Sequence, residues 1–215
     1  MCFSASASFG AGAILTVAGI VTTRRAGAGP LLAFASIPFL FSIQQFAEGF
    51  SWLGLSGHGY PWQHVPAYIF LFFSHVAWPV WMPFSLLIIE PDAGRRKILY
   101  SLLLAGCILA AYHLYYMIAF GVDGAVVSCH IDYATHFPRQ FEAGASLLYG
   151  LTTVIPFIVS GLRRMWIFAV VLLLSYIVSK IFYEEYLVSV FCFFAAILSV
   201  VIYYILPGPD DPNAP

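Results

Sequence analysis

The sequence predicts an all-α polytopic membrane protein with seven transmembrane helices, its N-terminus outside and its C-terminus cytoplasmic. Three observations predict it. The 215 residues are 61% hydrophobic and only 9% charged, whereas about a quarter of an ordinary soluble domain is charged. The apolar residues gather into runs of membrane length, and a helix needs about 20 of them to cross the hydrocarbon core. The nine Lys and Arg residues are also unevenly placed, with seven of them in Arg24-Arg25, Arg95-Arg96-Lys97 and Arg163-Arg164. These clusters lie roughly seventy residues apart, so each closes a pair of runs.

The spans follow in order as Ala5 to Thr23, Leu31 to Leu53, Pro66 to Ile89, Ile98 to Phe120, Ala143 to Leu162, Met165 to Phe182 and Tyr186 to Leu206. The first is a retained helix and not a cleaved signal, because no positive charge precedes it and Arg24-Arg25 follows it. Its rows of small residues, Ser4, Ser8 and Gly12 with Ala5, Gly10 and Ala13, let backbones approach closely. With this helix running inward, all three basic clusters are cytoplasmic and only Arg139 and Lys180 lie toward the outside, as the positive-inside rule prefers. Residues 1–206 form one transmembrane domain. The Pro-rich stretch 207–215, with Asp210 and Asp211, reads as a disordered cytoplasmic tail.

Cytoplasmic connections are short basic turns, such as Glu90 to Arg95. The longest outer connection is a loop from Gly121 to Glu142 that holds Cys129, His130, Asp132, His136 and Arg139. Long loops in compact domains are often functional. A net charge of −1 leaves no basic face for nucleic acid, and the absence of an internal repeat gives an inverted-repeat transporter no support.

Ionisable groups inside spans are costly and face a bundle interior or a water cavity. Glu48, His75, His113, Lys180 and Glu184 are the candidates. Glu48, His113 and Lys180 lie on the order of 5–10 Å below their outer helix ends, so one site in the outer half is expected. Gln44, Gln45, Glu48, Ser51 and Trp52 share one stripe of their helix. The same stripe also serves plain interhelical packing. In the third span Pro79 cannot donate to the carbonyl of His75, nor Pro83 to that of Pro79. A kink is expected there, with a freed carbonyl beside the imidazole and Trp78 and Trp81 close by. Lys180 either snorkels to the interface, pairs with Glu184 one turn away, or reaches Glu48.

Cys2 and Cys129 both fall outside in this topology, which permits a disulfide or leaves two free thiols. His130, Asp132 and His136, with His75 and His113 from below, are candidate metal ligands, although their spacing matches no standard zinc signature. Haem on His75 and His113 is the weaker form of the same idea. The cofactor is therefore left open between none and a metal ion.

The opening Met1-Cys2-Phe3-Ser4-Ala5-Ser6-Ala7-Ser8-Phe9 resembles that of a family of uncharacterised bacterial membrane proteins. Gln44-Gln45-x-x-Glu48-Gly49 followed by Trp52, and Cys192-Phe193-Phe194-Ala195-Ala196, extend the resemblance over most of the chain. It implies bacterial origin and the membrane class, and no particular activity. Two other seven-helix classes fit less well. The last helix lacks the retinal lysine of microbial rhodopsins and the His pair of zinc-dependent ceramidase-like hydrolases.

The function expected is a polar pocket opening to the periplasm that binds, senses or passes a small ligand or proton. Its residues would be Gln44, Gln45, Glu48, Trp52, His75, Trp78, His113, Lys180 and Glu184. The alternatives are an intramembrane metal-dependent lipid hydrolase with Glu48 as general base, and a structural subunit. Expected partners are the lipid bilayer with a small ligand or neighbouring membrane helices.

Overall fold

The chain enters its first helix through Ser4, whose side chain caps the backbone N–H of Ala7 at 3.3 Å. A computed structural model describes residues 4–56, 64–127, 130–162, 164–182 and 194–206. Within them the order is α1 Ala5–Ala26, α2 Leu31–Ala35, α3 Ile37–Leu55 and α4 His64–Leu71, then a π-helical segment Phe72–Ala77 that leads into α5 Trp78–Leu87. There follow α6 Ala93–Phe120, β1 Val122–Val127, β2 His130–Thr135, α7 Arg139–Val159, α8 Met165–Phe182 and α9 Ala195–Ile205. Five helical stretches are long and apolar enough to cross a membrane: Ala5–Ala26, Leu31–Leu55, His64–Leu87, Ala93–Phe120 and Gln140–Val159. The apolar helices Met165–Val178, within α8, and α9 are shorter. The C-terminal stretch 207–215 lies outside the described residues.

The expected small-residue row of α1 is real and longer than its first three members. Ser8, Gly12, Leu15, Gly19 and Thr22 are buried, a four-three-four-three spacing that keeps one face turned toward α3. A Cβ on Gly12 would lie 3.2 Å from the Phe46 ring, and one on Gly19 would lie 2.7 Å from that of Phe39. Hydroxyls then pin the pair: Thr16 Oγ1 meets Ser42 Oγ at 2.7 Å, and Thr22 Oγ1 donates to the Ala35 carbonyl at 2.7 Å. The second row faces away, with Ala13 exposed and nothing within 4 Å of a Cβ on Gly10.

The spans divide into central and peripheral ones. In Leu31–Leu55 and His64–Leu87, 56% of the membrane-length window is buried, against 28% in Ala5–Ala26 and Ala93–Phe120 and 22% in Gln140–Val159. Peripheral helices turn large apolar side chains outward, such as Val17 at 61%, Ile108 at 62% and Leu147 at 66% exposure. That is the arrangement a lipid solvent selects. Phe34, Phe157 and Phe168 pack together at the centre of the larger core cluster.

One expectation is corrected. The connection from Gly121 to Glu142 is not a plain loop, so the protein is not purely α-helical. β1 and β2 pair antiparallel, with Val122 opposite Thr135 and Val127 opposite His130. Ile131 is buried, and Tyr133 stacks on Phe70 of α4 at 4.9 Å while Asp132 between them is exposed. This period-two alternation is a strand signal, short enough to be overlooked among residues chosen for their ligand chemistry.

The opposite end of the bundle gathers the basic clusters. Arg25 Nε donates to the Leu206 carbonyl at 3.2 Å, and the guanidinium sits 4.4 Å from the Tyr203 ring. Arg164, held at a φ of 71°, lies 4.6 Å from Tyr204. Beside them Glu90 is buried, accepting from Gly161 N at 2.8 Å and Ser160 Oγ at 3.1 Å while Arg95 stands 3.9 Å away.

Candidate functional site

The polar stripe of α3 faces inward along its whole length. Gln44, Gln45, Glu48 and Ser51 are 0–3% exposed and Trp52 is 6% exposed. Glu48 Oε2 accepts from Gln45 Nε2 at 3.1 Å and from Ser8 Oγ at 3.4 Å, so a carboxylate is held by an amide on its own helix and a hydroxyl from α1. Ser8 is near the start of α1, which sets Glu48 about 5 Å inside that helix end. Gln44 turns the other way, and its Oε1 accepts from Trp78 Nε1 at 2.8 Å. One stripe thus joins α1 to α3 and α3 to α5.

The two prolines reshape the next span as expected, and the structure shows the device. The chain widens into a π turn over Phe72–Ala77 instead of kinking freely, and such turns are frequent at functional sites. Both freed carbonyls meet α6. His113 Nδ1 lies 3.1 Å from the carbonyl of His75. Further along the seam, Gly106 lets α6 approach so closely that any Cβ there would collide with the Pro79 carbonyl.

A carbonyl only accepts, so His113 donates from Nδ1 and leaves its Nε2 as an acceptor. Ser74 Oγ lies 3.1 Å from the Leu71 carbonyl and 2.8 Å from His75 Nδ1, and its one proton serves one of the two. Neither Nε2 has a hydrogen-bond partner among the described residues. The rings stand edge to face, 5.2 Å apart. Phe137, arriving from the end of β2, covers both at 5.5 Å and 4.8 Å, with Tyr112 beside His113 at 5.4 Å. His113 is buried and His75 partly so.

The sequence-derived candidates thus come together in part. Gln45 pairs with Glu48 and Gln44 with Trp78 on two sides of one stripe, and His75 and His113 form a separate pair. His136 pairs instead with Asp123 on the exposed hairpin at 3.6 Å, and Asp132 is exposed on β2. Among the described residues no three His, Cys, Asp or Glu side chains gather as a metal site would require. Cys2, Cys129 and Glu184 lie outside the described residues, as do the side chains of His130 and Lys180.

A family model matches residues 1–212. The chain belongs to DUF6629, a family of unknown function. This agrees with the resemblance carried by the opening Met-Cys-Phe-Ser-Ala and by the Gln44 to Trp52 segment. No curated protein and no solved structure matches the chain, so the chemistry of this DUF6629 member has to be read from its own side chains.

One contributor lacked a clear sequence signal. Phe137 sits in a connection where an aromatic residue follows a His and precedes a Pro. Trp52 is the surprise within the stripe, because its Nε1 is buried with no hydrogen-bond partner among the described residues. A buried donor left unmade is costly, and on a stripe otherwise satisfied it marks where a further acceptor would fit.

Proposed function

We propose that this DUF6629 protein is a seven-helix bacterial inner-membrane protein whose outer half holds a binding site for a small hydrogen-bond-donating ligand. The N-terminus and hairpin would face the periplasm and the basic end the cytoplasm. Seven spans require α8 and α9 to cross as well, which the apolar runs Met165 to Phe182 and Tyr186 to Leu206 allow. Support for the orientation comes from Arg25, Arg95 and Arg164 converging at one end, as positive-inside sorting requires.

The observation that carries the ligand reading is the pair of imidazoles on facing helices, each with Nδ1 engaged and Nε2 without a partner among the described residues. The His113 acceptor beside a second imidazole and beneath an aromatic cover suits a donor such as a small amine or alcohol. The lipid-hydrolase reading is weaker, since catalytic zinc takes three protein ligands and among the described residues two imidazoles meet here. The test is nitrogen-detected NMR on protein whose histidine rings are isotope-labelled, held in nanodiscs and titrated with a panel of small amines and alcohols. Binding should shift both Nε2 resonances and raise the melting temperature, and His113→Phe should remove both responses. Silent Nε2 signals across the panel, or stoichiometric zinc in purified protein, would overturn it.

A further inference from the structure

Away from the polar site, a cavity of about 220 Å³ runs between α1 and α9, lined by Ile14, Ala18, Val21, Ala196, Ser199 and Tyr203 among others. We propose that it is a phospholipid site: an acyl chain lies in the groove, and an anionic headgroup sits against Arg24 and Arg25.

Three features specify this occupant. The groove is apolar even where its residues are not. Ser199 donates to the Ala195 carbonyl and Thr22 to that of Ala35, with the Ala18 and Gly19 carbonyls also within 3.2 Å of its hydroxyl, which leaves little for a polar ligand. Its flanks also open to the lipid side, with Ile14 63% and Val200 69% exposed.

The second feature is charge. Ile14, Ala18, Val21 and Arg25 follow one another at four- and three-residue steps, so the groove's α1 wall runs directly to a guanidinium. On α9 the matching wall ends at Tyr203, and Arg25 lies over that ring at 4.4 Å. Arg24, next to it, is exposed at the same end. Two arginines at the mouth of an apolar groove complement a phosphate with a free negative charge.

Length is the third. From Ile14 to Arg25 is eleven residues, or about 16 Å along the helix. One leaflet of a roughly 30 Å hydrocarbon core is about 15 Å thick. The groove therefore accommodates one leaflet's chain with the headgroup at the arginines, in the leaflet at the basic end of the bundle. This holds whichever ligand the histidine site binds.

Native mass spectrometry of the full chain released from detergent tests the proposal with two probes of identical acyl chains, phosphatidylglycerol and phosphatidylcholine. The intact protein should retain phosphatidylglycerol at about thirtyfold lower concentration, the ratio two arginines near a membrane surface supply. Arg24→Gln with Arg25→Gln should abolish that preference. Arg24→Gln alone, which leaves the Arg25–Leu206 bond in place, should reduce it several-fold and so separates lipid binding from misfolding. Ala18→Trp should lower retention of both lipids by filling the groove, and Lys97→Gln in another cluster should change neither. Equal retention of the two lipids by the wild type, unchanged preference in the double arginine variant, or a dimer that buries the groove in place of lipid would each overturn the proposal.

Discussion

Glu48 and Glu90 are two buried carboxylates at opposite halves of one bundle, and they are held by different kinds of donor. Among the described residues Glu48 is met by side chains, the amide of Gln45 and the hydroxyl of Ser8. Glu90 is met largely by turns: the backbone N–H of Gly161, the hydroxyl of Ser160 and the backbone N–H of Asp92 at 3.3 Å, with Arg95 alongside. Glu90 therefore ties the α5–α6 connection to the α7–α8 connection. It is a structural clasp, whereas Glu48 lies one helix away from the imidazole pair. Side-chain donors repeat along a helix face and can be read as a stripe. Turn donors depend on which loops meet.

The contrast predicts unequal responses to mutation. Glu90→Ala should have the largest effect, because it strands the Gly161 N–H and removes charge-assisted bonds, costing roughly 3 kcal/mol. Thermal unfolding in detergent measures it, and a loss no larger than that of Glu48→Gln would erase the distinction. Gly106→Ala follows, at about 2 kcal/mol, because its methyl group must displace the Pro79 carbonyl. That loss should come with a shift in the His113 signals, since the two contacts share the α5–α6 seam.

Glu48→Gln retains an oxygen to accept from Gln45, and it should cost about 1 kcal/mol. A double-mutant cycle with Lys180→Met sharpens this. Additivity within about 0.5 kcal/mol would exclude an ion pair between them, while rescue by the second change would establish one. Trp52→Phe should be the mildest, about 1 kcal/mol of packing, since the indole N–H makes no bond to lose among the described residues. A drop as large as that of Glu90→Ala would mean that this N–H has a partner after all.

Much of the central fold was legible. Apolar length placed the helical stretches Ala5–Ala26, Leu31–Leu55, His64–Leu87 and Ala93–Phe120 to within about five residues at each end, and the row Ser8 and Gly12 on α1 gave the close face against α3. Pro79 and Pro83 disclosed the irregular turn, because a missing N–H is a property of the residue itself. The β-hairpin was not legible. Its strands are six residues each, and the polar ligand-type residues Asp123, Asp132 and His136 mask their alternation.

The sequence by itself determined which stretches are apolar and long enough to cross a membrane and which face of α3 is polar, because hydrophobicity and periodicity are local quantities. It also marked the carbonyls that proline leaves unbonded. Only the tertiary structure decided what answers them: His113 Nδ1 for His75, and the bare Cα of Gly106 for Pro79. The same holds for Glu90 and for the groove that ends at Arg25. Each depends on segments far apart in sequence meeting at one point, and no local pattern records that meeting.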